Sequence, residues 1–235
     1  MSKPQYARSE ALLGEGATDR LSRAHVAVFG LGGVGSYLCE ALARMGVGHL
    51  TLVDGDLYSE TNLNRQLYAT RDTVGQPKVE VAAERIATID PDIAVTPLVL
   101  RFAAENAESI PFSSFDYIAD AIDDVKAKVA LAQAADRFSV PIVMAMGAGN
   151  KLDPTAFRVA DIAKTQVCPL ARAMRRELRA VGIEHLKVVY SEEPPRAPTR
   201  DEEGHTVPAS CSFVPSVMGL IMAGEIIKDL LERHE

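Results

Sequence analysis

Apolar and polar positions along the chain alternate between two periods. Residues 25–30, HVAVFG, read as a strand covered on both faces, as parallel strands tend to be. After a cluster of glycines, Val34, Leu38, Ala41, Leu42 and Met45 form one helical stripe, which Gly46 ends. HLTLVDGD is a second strand ending in acids, so 25–54 is a βαβ unit. An irregular segment with one or two short turns, NLNRQLYATRDTVGQPK, comes next. Then a helix over 78–89 places Val79, Ala82, Ile86 and Ile89 on one face and is stopped by Asp90-Pro91. IAVTPLVL, DYIADAID and PIVMAMGAG are further strands, separated by a short helix over 103–109 and a longer one over 124–138. Ahead of all this, YARSEALLGEGATDRL looks helical with glycine breaks.

Strands alternating with helices predict an α/β fold with a doubly wound, mostly parallel Rossmann-like sheet. From about residue 151 the pattern changes into a C-terminal α+β elaboration. FRVADI and LKVVYS read as strands with a helix, 169–181, between them. Four prolines in residues 194–208 mark a loop expected to be mobile. SFVPSVMGLIMAGEIIKDLL reads as a closing apolar helix. No internal repeat is present. The expected organisation is one domain over 1–235, with a core over 1–150 and an elaboration over 151–235.

Composition narrows the class. The 235 residues are 47% hydrophobic and 24% charged, as in an ordinary globular protein. No apolar run reaches the ~18–20 residues of a membrane span, and the start lacks a secretory apolar region, so the expected location is the cytoplasm. Cys39, Cys168 and Cys211 form no C-x-x-C pair, and the five histidines have no ligand spacing. The net charge of −7 weakly opposes non-specific nucleic-acid binding but allows a local basic patch.

The candidate chemistry begins at GLGGVGS. Gly30, Gly32 and Gly35, with Gly33 among them, satisfy G-x-G-x-x-G between a strand and a helix, where unpaired N–H groups and the dipole favour phosphate. Asp54, with Asp56 nearby, ends the next strand, placed to accept from ribose hydroxyls. Alone these features favour a nicotinamide enzyme, with a tight turn lacking any ligand as the bland alternative. Downstream, NLNRQ supplies Asn62, Asn64, Arg65 and Gln66, QPK supplies Lys78, and DAIDD brings Asp123 to the end of a central strand. Cations beside the first turn suit a triphosphate, and a carboxylate there suits Mg²⁺. Arg65 could equally be a surface ion pair, Lys78 a solvated helix residue and Asp123 a helix N-cap. All three in this order favour ATP over NAD.

GLGGVGS, LVDGD, NLNRQ, VGQPK and DAID in this order resemble the E1-like adenylating enzymes of the ThiF and MoeB type. The resemblance implies that ATP lies on the glycine turn and that a substrate carboxylate attacks its α-phosphate, releasing pyrophosphate. It implies that Asp54 holds the ribose, that Asn62, Arg65 and Lys78 contact phosphates, and that Asp123 binds Mg²⁺ or orients the α-phosphate. Arg8 matches the family arginine that reaches across a homodimer into the partner's site. Residues 153–179 and the S-F-V-P-x-V-x-G-L stretch are similar to the branch that dehydrates threonylcarbamoyladenosine in tRNA. That branch adenylates the carboxylate and lets it cyclise. The alternative is an adenylyltransferase for the C-terminal Gly-Gly of a ubiquitin-like sulfur-carrier protein, although the paired C-x-x-C zinc motifs usual in such bacterial members are missing. The resemblance leaves room for a monovalent cation and for a sulfur-transfer or carrier partner.

Two further groups remain. Arg172, Arg175, Arg176 and Arg179 share one helical face, a candidate tRNA phosphate track or else a solvated face complementing the helix dipole. Cys168 and Cys211 are candidate reactive thiols at helix starts, whereas Cys39 is read as packing.

Overall fold

A computed structural model describes residues 3–197, 199–200 and 206–232. Seven strands form one sheet: β1 (His25–Phe29), β2 (His49–Val53), β3 (Ala94–Leu98), β4 (Tyr117–Asp120), β5 (Ile142–Ala145), β6 (Phe157–Asp161) and β7 (Lys187–Ser191). Their order is β3-β2-β1-β4-β5-β7-β6. All neighbours are parallel except β6, which pairs antiparallel with β7 at the far edge. Strands from both halves of the chain therefore share one sheet. The strand order reverses between β1 and β4, and in open α/β sheets the crevice at such a point receives ligands.

Helices α1 (Ala7–Leu13) and α2 (Ala17–Arg23) precede the sheet. They are followed by α3 (Gly35–Arg44), α4 (Lys78–Ile89), α5 (Val125–Arg137), α6 (Pro169–Ala180) and α7 (Pro215–Glu232). Alternation along β1 divides the core. Val26 and Val28 face Leu38 and Leu42 of α3, Ile86 of α4 and Met222 of α7; Ala27 and Phe29 face Phe102, Phe112 and Leu131. A third cluster packs Met174 and Leu178 of α6 on Met144 and Val188. Helix α7 is apolar and crosses α3 closely: a Cβ on Gly219 would lie 2.3 Å from the Val34 carbonyl oxygen. At the other edge β3 is largely exposed and carries Pro97, which an edge strand tolerates because its missing N–H faces outward.

Several expectations need adjustment. The segment expected as a helix over 103–109 is 3-10 in form, Ala104–Ser109. Within the expected loop 194–208, β8 (Thr199–Arg200) and β9 (Thr206–Val207) pair antiparallel, because pairing satisfies backbone groups that a free loop leaves to water. Residues 198 and 201–205 of that loop lie outside the described residues, so its expected mobility does too. No helix among the described residues is long and apolar enough to cross a membrane.

Candidate nucleotide site

The site is assembled where β1, β2 and β4 end. Phe29 and Asp120 are register partners, and the Ala121 N–H donates to the Phe29 carbonyl at 2.7 Å, so the glycine turn and the DAIDD turn leave the sheet side by side. The turn requires glycine: a Cβ on Gly35 would sit 1.8 Å from the Gly30 carbonyl oxygen. The amides of Gly32, Gly33 and Val34 have no hydrogen-bond partner among the described residues. They stand free at the start of α3, as an anion-binding turn requires. Pro215 of α7 and the stem of Arg65 both crowd Gly33, with the Pro215 ring 3.2 Å and the Arg65 Cγ 3.4 Å from a Cβ built there.

Asp54 is clasped from two sides. Its carboxylate accepts from the Leu31 N–H at 2.6 Å and the Asp56 N–H at 2.8 Å. Those bonds lock the end of β2 to the glycine turn and leave further lone pairs on the carboxylate. Buried Ser36, not anticipated from sequence, ties the same turn to the NLNRQ segment: its hydroxyl donates to the Gly32 carbonyl at 2.8 Å and accepts from the Leu67 N–H at 3.1 Å.

In that segment Arg65 is half-buried, and its Nη1 donates to the Thr61 carbonyl and to Asn64 Oδ1 at 2.8 and 2.9 Å. Asn62 Oδ1 accepts from the Ser59 N–H, fixing the turn. Gln66 lies buried below Gly32, and its Oε1 has no partner among the described residues. Lys78 is the first residue of α4. Its side chain is buried, and the ammonium meets Asp56 at 3.0 Å, so it is not a solvated helix residue. Arg101 approaches the same carboxylate at 3.4 Å. Burial pushes the Asp56 carboxyl up, but Lys78 and then Arg101 outweigh it and hold the group below its ordinary value.

Asp123 is exposed and has no hydrogen bond or ion pair among the described residues. The cap that it could have supplied comes from its neighbour: Asp124 Oδ1 accepts from the Ala127 N–H at 2.8 Å. Beneath them lies an unforeseen pair, Asp120 and Lys128, both fully buried and 2.7 Å apart. Lys128 also donates to the Ile122 and Ala145 carbonyls at 3.1 and 2.8 Å, pinning the turn that carries Asp123 to the end of β5. Burial raises the Asp120 carboxyl and Lys128 pulls it back. The available signal was a lysine on the apolar stripe of α5, three positions before Leu131.

Other candidates lie apart from this cluster. Arg8 is exposed on α1, a helix that buries none of its residues in the protomer. On α6, Ala171, Met174 and Leu178 face inward, so Arg172, Arg176 and Arg179 are exposed, while Arg175 Nη1 is anchored to the Thr165 carbonyl at 2.8 Å. Cys168 is buried at the N-cap of α6; Cys211 is half-buried, its Sγ 4.0 Å from the Lys151 carbonyl. Burial pushes the Cys39 thiol up, as for a packing residue. No group of three or more metal-ligating side chains occurs among the described residues.

The ThiF family matches residues 6–235. The tRNA threonylcarbamoyladenosine dehydratase of Bacillus subtilis (strain 168) is 42% identical over 244 residues, covering 98% of this chain and 96% of that protein. The protein of the same name from Escherichia coli (strain K12) is 42% identical over 178 residues, 76% of this chain and 66% of its own length. A crystal structure of E. coli tRNA N6-threonylcarbamoyladenosine dehydratase in complex with ATP superposes with a TM-score of 0.90, at 34% identity, covering 98% of this chain and 95% of that one.

Proposed function

The chain belongs to the ThiF family, and from that premise we propose that it is an ATP-dependent dehydratase acting on threonylcarbamoyladenosine in tRNA. It adenylates the substrate carboxylate and lets the product cyclise, with release of AMP and pyrophosphate. The observation that carries this reading is the dehydratase likeness running through both halves of the chain, 98% of its length, and not only through the glycine-turn half.

The site supports the chemistry. A carboxylate and a triphosphate repel each other, so cations must gather along the departing pyrophosphate. Arg65 rests on the glycine turn, and Lys78 is held by Asp56, whose own N–H is bonded to Asp54. In the free protein Asp56 neutralises Lys78. Bound phosphates replace that partner, so the lysine needs no new burial when ATP arrives. Asp54 takes the ribose. Asp123, a hard oxygen donor with no competing partner among the described residues, would hold Mg²⁺ together with phosphate oxygens, and the metal would supply further charge neutralisation.

Residues 1–150 form the nucleotide core of a single unit and 151–235 the substrate side. Arg172, Arg176 and Arg179 present charge to tRNA phosphates. The protein works in the cytoplasm as a homodimer in which Arg8 of each protomer reaches the other's site.

The test is pyrophosphate release with Mg-ATP and tRNA carrying threonylcarbamoyladenosine, with a Gly-Gly-terminated carrier as the rival substrate. Release that depends on the modified tRNA is expected. Exchange that needs the carrier and ignores tRNA would overturn the reading in favour of a sulfur-carrier adenylyltransferase.

A further inference from the structure

Segments far apart in sequence meet at Asn150, just past β5. Its backbone is left-handed, with φ of 60°, a conformation that asparagine tolerates better than most residues. Its Oδ1 accepts from the Ala209 N–H at 2.8 Å, and its own N–H donates to the Ala209 carbonyl at 2.7 Å. Its carbonyl accepts from the Arg196 N–H at 2.8 Å. One residue further, Asn64 Nδ2 donates to the Ser210 carbonyl at 3.1 Å, while Asn64 Oδ1 receives Arg65. Pro208 lies on Gly149, where a Cβ would meet it at 3.1 Å. Residues 208–210 thus form a strap tied at one side to the segment that follows β5 and at the other to the turn that carries Arg65. The strap leads into Pro215, which packs on Gly33.

We propose that Asn150 is a positioning residue for the tRNA substrate, latching this strap, together with Asn64, against the wall of the nucleotide crevice. The proposal rests on the dehydratase reading above. A strap held in advance need not be ordered when the substrate enters. If only a fraction of molecules hold it, the apparent affinity for whatever the strap faces falls by that fraction. Nucleotide contacts made through the glycine turn are spared. Asparagine suits both ends because one amide offers an acceptor and two donors.

The test compares Asn150→Gly with Asn150→Asp. Glycine keeps the left-handed backbone and both main-chain bonds but removes the acceptor for Ala209; aspartate retains an acceptor. Two quantities are read: amide hydrogen exchange across 208–211, and kinetics with Mg-ATP and threonylcarbamoyl-modified tRNA. In Asn150→Gly, exchange should quicken about tenfold and kcat/KM for the tRNA should fall fivefold or more, mainly through KM. Binding of a non-hydrolysable ATP analogue should stay within twofold, and Asn150→Asp should recover both quantities. Unchanged exchange in Asn150→Gly overturns the latch. Faster exchange with unchanged kcat/KM overturns the positioning role, as does an Asn150→Asp protein as impaired as Asn150→Gly. If the unaltered protein never turns over the tRNA, the dehydratase reading falls and the positioning role with it, while exchange still decides the latch.

Discussion

Replacing Lys128 with methionine isolates the buried pair beneath the candidate site. The change leaves the Asp120 carboxylate fully buried without its 2.7 Å partner. Removing one member of such a pair costs about 3–5 kcal/mol, because the remaining charge stays buried. The carboxylate can instead take a proton, a route whose cost depends on pH. In the unfolded chain it ionises at its ordinary value of 3.8. Holding it protonated in the folded state at pH 7 therefore costs about 4 kcal/mol, and at pH 5 only about 2 kcal/mol. The sign follows: a carboxyl raised on folding penalises stability more as pH rises above its unfolded value. Two carbonyls, of Ile122 and Ala145, also lose a donor, a loss independent of pH. Urea unfolding of Lys128→Met and the unaltered protein, at one protein concentration, should show a loss that is larger at pH 7 than at pH 5, by at most about 2–3 kcal/mol because burial already raises this carboxyl in the unaltered protein. Adding Asp120→Asn should restore most of the stability at pH 7 and abolish the dependence. An equal loss at both pH values, or no recovery in the double variant, would refute the account of an uncompensated buried carboxylate.

Other consequences can be checked separately. Arg65→Ala and Lys78→Ala should each lower turnover by a factor of ~100 or more, with Tm within a few degrees; full activity in both would mean the triphosphate lies elsewhere. His25 and His49 stack at 3.6 Å between ring centroids. Burial lowers both below the ordinary 6.5, and the His25 ring is lowered further by its neighbour. Both groups are depressed on folding, so their contribution is present above 6.5 and lost as pH falls below it; thermal melts should show His25→Gln/His49→Gln flattening that decline. Arg172→Ala/Arg176→Ala/Arg179→Ala should weaken tRNA binding and reduce the log–log salt slope by roughly 2–3, read by fluorescence anisotropy. An unchanged slope would return those arginines to a solvated face.

Where packing alone decides, the sequence was easy to read. Helix α4 has the bounds that its stripe and Asp90-Pro91 predict, because Val79, Ala82 and Ile86 bury one face and the proline bars another turn. The glycine turn and Asp54 were equally plain, since close backbone approach and a strand-end carboxylate leave residue-level marks. Tertiary partnerships were not. Nothing local in FRVADI says that it pairs antiparallel at the edge of the main sheet. Asp123 and Asp124 are adjacent acids, and only the geometry of α5 decides which of them caps it. Asn150 looks like any polar turn residue until Ala209, far along the chain, arrives to use its side chain.

The seating of α7 on the glycine turn has a consequence for biosynthesis. Pro215 covers Gly33, and Gly219 admits α7 against Val34, yet these residues are translated long after the turn that they brace. Early strands can pair as they emerge. The nascent chain nevertheless carries an unbraced glycine turn through most of its elongation. The packing that covers Gly33 is thus completed only when α7 docks, and a ribosome stalled before α7 would leave the turn uncovered.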